Sequence, residues 1–353
     1  LNLCRNKKHV SGKQANALPG RVRLGFDREP KSSGVAPGLV PGDPDFDGRP
    51  IMSQQQRDAL DQMSRHAPLD VGGDVQEQRV VFEKMIASIP LPADVVATPG
   101  TLGGVPVVSV DVAGIESDNV IFYLHGGAYC IGSAAASVGL ASDVVRRAGA
   151  RAISVDYRLA PENPYPAAVD DAVAAYRGLL ESVPASRVAI VGESAGGGLT
   201  AATLVALKAA GLPQPACAVL FSPWADLTLS GESVTSKAAV DPALTPAGLR
   251  SRAADYAAGR PLAGPLLSPV FADLTGLPPL LIQAGSHEIL LDDATRLATR
   301  AAAADVQVSL EVTPGVPHVF QAFAALLDEA GTALDSAAAF IRARLAEQAH
   351  SAV

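Results

Sequence analysis

Cysteine is scarce in this sequence: Cys4, Cys130 and Cys217 are the whole supply among 353 residues. None sits in a C-x-x-C pair or beside clustered histidines, which excludes a disulfide scaffold and a zinc site and points to a reducing compartment. Charge is sparse too, at 18%, and its balance is negative, with a formal net of −8. A chain of that sign lacks the basic surface that releases counterions from a phosphate backbone, so nucleic acid drops out as a partner. No apolar run reaches the roughly 18 residues that span a bilayer. Behind the basic N-terminal residues there is no continuous apolar stretch of about seven or more, as a secretory signal requires. These absences leave a cytoplasmic protein with no membrane insertion. What the chain does have is apolar mass, 48% of its residues, enough for a large core.

The first 50 residues differ from the rest. They hold seven Gly, six Pro, and nine Lys or Arg against five Asp or Glu. That is the composition of a segment unable to offset its ordering entropy. The earliest methionine is Met52, so residues 1–50 are expected to be disordered, translated upstream or vector-derived, and the folded domain to run over 51–353. From Met52 to Pro90 the period is helical, with Leu60 and Met63 three apart and Val81, Met85 and Ile89 at four-residue spacing. Strand-length apolar runs then alternate with helix-length segments. The runs are Val105–Val110, Val120–Leu124, Ala152–Val155, Val188–Val191, Ala218–Phe221, Leu280–Gln283 and Val306–Val312. Near-continuous Val, Ile and Leu marks strands buried on both faces, so the fold class is α/β with a mostly parallel sheet between helices. Helical stretches are expected at 137–148, 167–180, 195–210, 294–304 and 332–347. A long polar excursion, Leu227 to Pro261, reads as an insertion over the sheet's active edge.

The most informative segment is Val188-Ala-Ile-Val-Gly192-Glu-Ser194-Ala-Gly196, a buried strand entering G-x-S-x-G and then an alanine-rich helix. In such an elbow the serine occupies a strained turn, and glycines two residues to either side let strand and helix approach closely. A serine hydroxyl is a poor nucleophile near neutral pH and needs a base, which an acid must hold in the correct tautomer. Chain order in this arrangement is serine, acid, histidine, which disfavours His125. His287 has few acids ahead of it, whereas His318 follows the strand ending near Val312 in a Pro-rich loop. His318 is therefore the expected base. Glu288, Asp292 and Asp293 compete as the acid. Both aspartates are placed to begin a helix, where the N-terminal dipole already accounts for them, and Glu288 is left without another role. Gly126, Gly127 or Ala128, in the loop after Val120–Leu124, could supply backbone N–H groups to an oxyanion together with Ala195. His125 would then steady that loop, and Cys130 just beyond it reads as a buried, inert thiol.

Four segments, in order, resemble the bacterial hormone-sensitive-lipase-like carboxylesterases, an α/β-hydrolase group. They are His125-Gly-Gly-Ala128, Asp156-Tyr-Arg-Leu-Ala-Pro-Glu162, Gly192-Glu-Ser-Ala-Gly196 with Ser222-Pro-Trp224, and Glu288 to Asp293 with His318. The resemblance implies an eight-stranded sheet and a cap made from about 52–92 and 225–262. It also implies hydrolysis of short-chain acyl esters, small-molecule ester substrates, and neither metal nor organic cofactor. Members of the group are often dimers, though nothing local in this sequence shows it. Three positions depart from the family pattern. Ala128 stands where a third glycine is usual, which suits a backbone without a positive φ; Glu193 and Glu288 stand where aspartate is more usual. Two rivals follow from the same residues: an amidase or lipase of the same fold, and a small-molecule receptor on a decayed hydrolase scaffold.

Overall fold

The runs with no polar side chain cannot face water on either side, and they form the middle of the sheet. In the computed structural model, which describes residues 51–351, two helices come first, α1 (Ile51–Arg65) and α2 (Val75–Ala87). The order continues β1 (Val95–Leu102), β2 (Val105–Val112), β3 (Val120–Leu124), α3 (Val138–Ala148), β4 (Arg151–Val155), α4 (Ala167–Leu179), β5 (Val188–Glu193) and α5 (Ala195–Ala209). It ends with β6 (Cys217–Phe221), α6 (Ser233–Ser236), α7 (Pro246–Ala257), β7 (Leu280–Gly285), α8 (Leu291–Ala303), β8 (Val308–Thr313) and α9 (Asp328–Ser351). The extension expected over residues 1–50 lies outside the described residues. No described helix is long and apolar enough to cross a membrane.

The eight strands form one sheet in the order β1-β2-β4-β3-β5-β6-β7-β8, with β2 antiparallel to both neighbours and all other pairs parallel. Side chains alternate between the two faces, as the pleat requires. Phe122, Ile190, Leu220 and Ile282 join one core cluster; Ile121, Val191, Val219 and Leu281 join the other. Seven of the strands appear where the apolar runs placed them. The eighth, β1, escaped the sequence reading because six of its eight residues are exposed and Pro99-Gly100 interrupts it. It is an edge strand, where a missing N–H and a polar pattern are tolerated.

The parallel strands β3, β5, β6, β7 and β8 end on one edge of the sheet, and each leads directly into a segment singled out from sequence. Helices α2 and α7 lie over that edge. Asp74 caps α2, its Oδ1 accepting from Gln76 N and Glu77 N at 3.0 Å. Thr245 caps α7 by accepting from Gly248 N at 3.1 Å, with Pro246 in the first turn. The two pieces touch where glycines permit: a Cβ on Gly72 would stand 2.9 Å from Gly248 Cα. Arg79 of α2 then donates from Nε to Cys130 O at 2.8 Å and from Nη2 to Ala160 O at 2.9 Å, while gripping both carboxylate oxygens of Glu162.

Candidate active site

Ser194 is the hinge between β5 and α5, with φ 55° and ψ −122°, a conformation that L-residues rarely adopt. It persists because both sides of the turn are over-determined. Ser194 N–H donates to Phe221 O at 2.9 Å, and its carbonyl accepts from Gly198 N and Trp224 N at 3.1 and 2.9 Å. Gly192 and Gly196 face each other so closely that a Cβ on the first would meet Gly196 O at 2.3 Å. A Cβ on the second would fall 2.0 Å from Leu124 O. No side chain fits at either position, which is the packing the motif requires.

His318 reaches Ser194 from the loop after β8. Its Nε2 lies 2.9 Å from Ser194 Oγ, and its Nδ1 lies 2.6 Å from Oε2 of Glu288, a fully buried carboxylate in the turn after β7. The loop can come this close because residue 285 has no side chain, since a Cβ there would strike Val316 O at 2.3 Å. Helix α1 braces it from outside: Leu60 packs with Val316 and Phe320, and Arg57, paired with Glu329, lies across Gly315. Of the other histidines weighed from sequence, His287 lines a cleft with Asp58 and Asp61 of α1. His125 stays in the scaffold, as expected. It stacks on Tyr157 at 4.1 Å and donates from Nδ1 to Gly126 O at 2.7 Å, and burial pushes its pKa down to about 4.

The second oxygen of Glu288 accepts from Gly285 N at 2.7 Å and from Ser222 Oγ at 3.0 Å. Ser222 is the residue that sequence reasoning undervalued. It appears there only within a family motif, yet its hydroxyl also accepts from Val319 N at 3.0 Å, so one oxygen holds both the Glu288 carboxylate and the segment carrying His318. Neither aspartate rival of Glu288 approaches His318 by a hydrogen bond. Asp292 accepts from Ser233 N at 2.9 Å, and buried Asp293 accepts from Ala225 N and Asp226 N at 2.8 Å each. They begin α8 as anticipated, but their carboxylates fasten the insertion after β6 instead of capping their own helix.

The loop after β3 corrects two expectations. Gly126 N–H is not free, because it donates to Oε1 of Glu193 at 2.8 Å. Among the described residues the N–H groups of Gly127, Ala128 and Ala195 meet no acceptor. Ala128 does carry a positive φ, 53°, followed by Tyr129 at 63°, so alanine replaces glycine at the kind of position where glycine is favoured. The loop folds over Gly127 (φ 114°), whose carbonyl accepts from Cys130 N and Ile131 N at 3.0 and 2.8 Å. The segment 156–162 holds it from behind. Asp156 accepts from Ala134 N, Tyr157 donates to His125 O at 2.6 Å, Ala160 N donates to Tyr129 O, and Glu162 takes Arg79. Cys130 is fully buried, and burial pushes its thiol up to about 12, the state of an inert packing group.

The α/β hydrolase fold family matches residues 121–322, the stretch that carries Ser194, Glu288, His318 and the loop after β3. An acetyl-hydrolase of Streptomyces hygroscopicus is 43% identical over 281 residues, covering 78% of this chain and 92% of its own length. A solved esterase of the bacterial hormone-sensitive lipase family superposes with a TM-score of 0.80 at 43% identity, covering 82% of this chain and 98% of that one. The chain belongs to this family. An esterase of Acinetobacter venetianus is a further relative, 36% identical over 264 residues, covering 74% of this chain and 87% of its own length. As a hormone-sensitive-lipase-family protein the chain is a serine carboxylic ester hydrolase, with the eight-stranded, mostly parallel sheet expected from its sequence.

Ser222 gives the first testable consequence for this esterase. Ser222→Ala removes a donor from Glu288 and strands the Val319 N–H, with the fold otherwise intact. Turnover of a soluble ester is expected to fall roughly tenfold, the effect of about 1.4 kcal/mol of lost positioning, with KM unchanged. Steady-state kinetics check it; an unchanged kcat would reduce Ser222 to a packing residue.

Proposed function

We propose that this esterase hydrolyses short-chain acyl esters through a Ser194–His318–Glu288 triad and a covalent acyl-enzyme. The observation that carries the proposal is the unbroken hydrogen-bonded line from Glu288 Oε2 through His318 to Ser194 Oγ, with contacts of 2.6 and 2.9 Å. With Glu288 accepting from Nδ1–H, the lone pair of the imidazole sits on Nε2, facing the serine proton. Ser194 Oγ attacks the ester carbonyl while His318 takes its proton. The tetrahedral oxyanion is held by the N–H groups of Gly127, Ala128 and Ala195. His318 then protonates the departing alkoxide, and water repeats the sequence from the acyl-enzyme, regenerating Ser194 and releasing the acid.

The segments 52–92 and 225–262 act as a cap that lines the acyl pocket and keeps bulk water from it. Its reach argues for short chains. Tyr256 of α7 stacks face to face on Tyr129 at 3.9 Å, and Tyr129 packs on Trp224 at 5.9 Å, so three buried aromatic rings fill the space beside the oxyanion loop. A relative named acetyl-hydrolase, and a related esterase structure obtained after soaking with p-nitrophenyl butyrate, agree with this size class.

Comparing kcat/KM for p-nitrophenyl acetate, butyrate, octanoate and palmitate with that for an acetyl anilide tests the proposal. The acetyl and butyryl esters are expected to exceed octanoate and palmitate at least tenfold, because each methylene beyond the pocket must displace packed side chains. Palmitate as the best substrate would make the protein a lipase, and preferred anilide cleavage an amidase.

A further inference from the structure

The mechanism above leaves one acidic group at the site unused. Glu193 ends β5, next to the nucleophile, and its side chain crosses to the oxyanion loop, where Oε1 accepts the Gly126 N–H at 2.8 Å. Its other oxygen is buried as well, and the carboxyl faces the equally buried Tyr123 hydroxyl. The two backbones are in close contact as well: a Cβ on Gly126 would stand 3.1 Å from Glu193 O and 3.2 Å from Ser194 Cβ. Beyond Gly126 the chain takes three consecutive positive-φ residues, Gly127, Ala128 and Tyr129. For the two that are not glycine this conformation is strained, and it persists only where its surroundings enforce it.

We infer that Glu193 is a positioning residue that, by accepting the Gly126 N–H, anchors the start of the strained loop and so aims the Gly127 and Ala128 N–H groups at the oxyanion. The inference rests on the triad reading of the site. It explains why an acid stands beside a nucleophile that already has its own acid and base, and why the Gly126 N–H is withheld from the substrate. The groups facing the carboxyl are Tyr123 and the Gly126 N–H from β3 and its loop, His318 from the loop after β8, and, at longer range, Tyr157. Burial outweighs the three nearest and pushes Glu193 up to about 7. The anchoring bond is therefore charge-assisted above that pH and weaker below it.

The test uses the full chain with Glu193→Gln, which keeps an acceptor of the same size, and Glu193→Met, which does not. With p-nitrophenyl acetate at pH 8, Glu193→Met is expected to lose kcat by roughly 10- to 100-fold, approaching the loss of an oxyanion donor, with KM within about twofold. Inhibition by an aryl trifluoromethyl ketone, which forms a tetrahedral adduct, should weaken by the same factor. Glu193→Gln should keep kcat within about fivefold. Full activity in the Met variant, a Gln variant as damaged as Met, or a loss carried by KM would overturn the role. Should the Met variant not fold, hydrogen exchange decides: between pH 8 and pH 6 the wild-type amides of Gly126 to Ala128 should gain exchange relative to intrinsic rates, and those of Glu193→Gln should not. Identical profiles would count against anchoring. Labelling of wild-type Ser194 by a fluorophosphonate separates the two failures, since an unlabelled wild type sinks the triad reading, whereas a labelled wild type with an indifferent Met variant sinks only the role of Glu193.

Discussion

Ser194→Ala is expected to lower ester turnover on the order of a millionfold, and His318→Ala by a similar factor, with the double variant no worse than either. The reason is that, among the described residues, the serine proton has one acceptor within reach, His318 Nε2 at 2.9 Å. Without the base the hydroxyl is not a nucleophile, and without the hydroxyl the base has nothing to activate. What survives is the contribution of oxyanion donors and binding, about a thousandfold or more over water. Both variants should fold, because the strain at residue 194 is held by backbone bonds to Phe221, Gly198 and Trp224 that neither substitution touches. Kinetics with p-nitrophenyl acetate, run beside fluorophosphonate labelling and mass mapping, check this. Wild type should be modified at Ser194, Ser194→Ala not at all, and His318→Ala only slowly. A Ser194→Ala protein retaining more than a few per cent of its activity would require another nucleophile.

Among the three carboxylates that compete in sequence, Glu288→Ala is expected to cost on the order of ten-thousandfold in kcat, because the imidazole loses the partner that fixes its tautomer. Asp293→Asn should leave kcat within about fivefold and change stability instead. Asp293 is fully buried, with Oδ2 accepting two backbone N–H groups, which an amide oxygen can also do. Burial, reinforced by the carboxylate of Asp226, pushes its pKa well above 3.8. The folded state therefore binds this proton more tightly than the unfolded chain does. The resulting stability is complete below pH 3.8 and is lost as pH rises towards the folded-state value. Asparagine has no proton to lose, so Asp293→Asn should show a flatter dependence of Tm on pH above 4 and be at least as stable as wild type at pH 8. Thermal melts from pH 4 to pH 8 measure it. Equal loss of kcat in Glu288→Ala and Asp293→Asn would leave the acid unassigned.

The contrast between these two residues shows how far the sequence could be read. Position in the chain suggested that the aspartates open a helix, and they do, but what their carboxylates hold is the insertion 225–233, some 60 residues upstream. Glu288 emerged by elimination, and nothing in its neighbours revealed that Ser222 would share it with the His318 loop. The oxyanion loop was visible as Gly126-Gly127-Ala128, yet which of its N–H groups remain unpaired depends on Glu193, 67 residues later. The serine elbow could be read from its immediate neighbours, whereas the distant partners of Ser222, Glu193, Asp292 and Asp293 could not.

The sequence by itself determined the layered α/β fold, the serine elbow and the family. Continuous apolar runs can only be buried, and G-x-S-x-G between strand and helix is decided by sterics over a few residues, where a Cβ on Gly192, 2.3 Å from Gly196 O, has no room. The sheet topology then brought the parallel strand ends to one edge. Only there did Ser194 and His318, 124 positions apart, become partners. The contact between Glu288 and His318, the positive φ at Ala128 and the bond that occupies the Gly126 N–H belong to the tertiary structure, because each follows from a side chain or carbonyl that a distant element carries to the site.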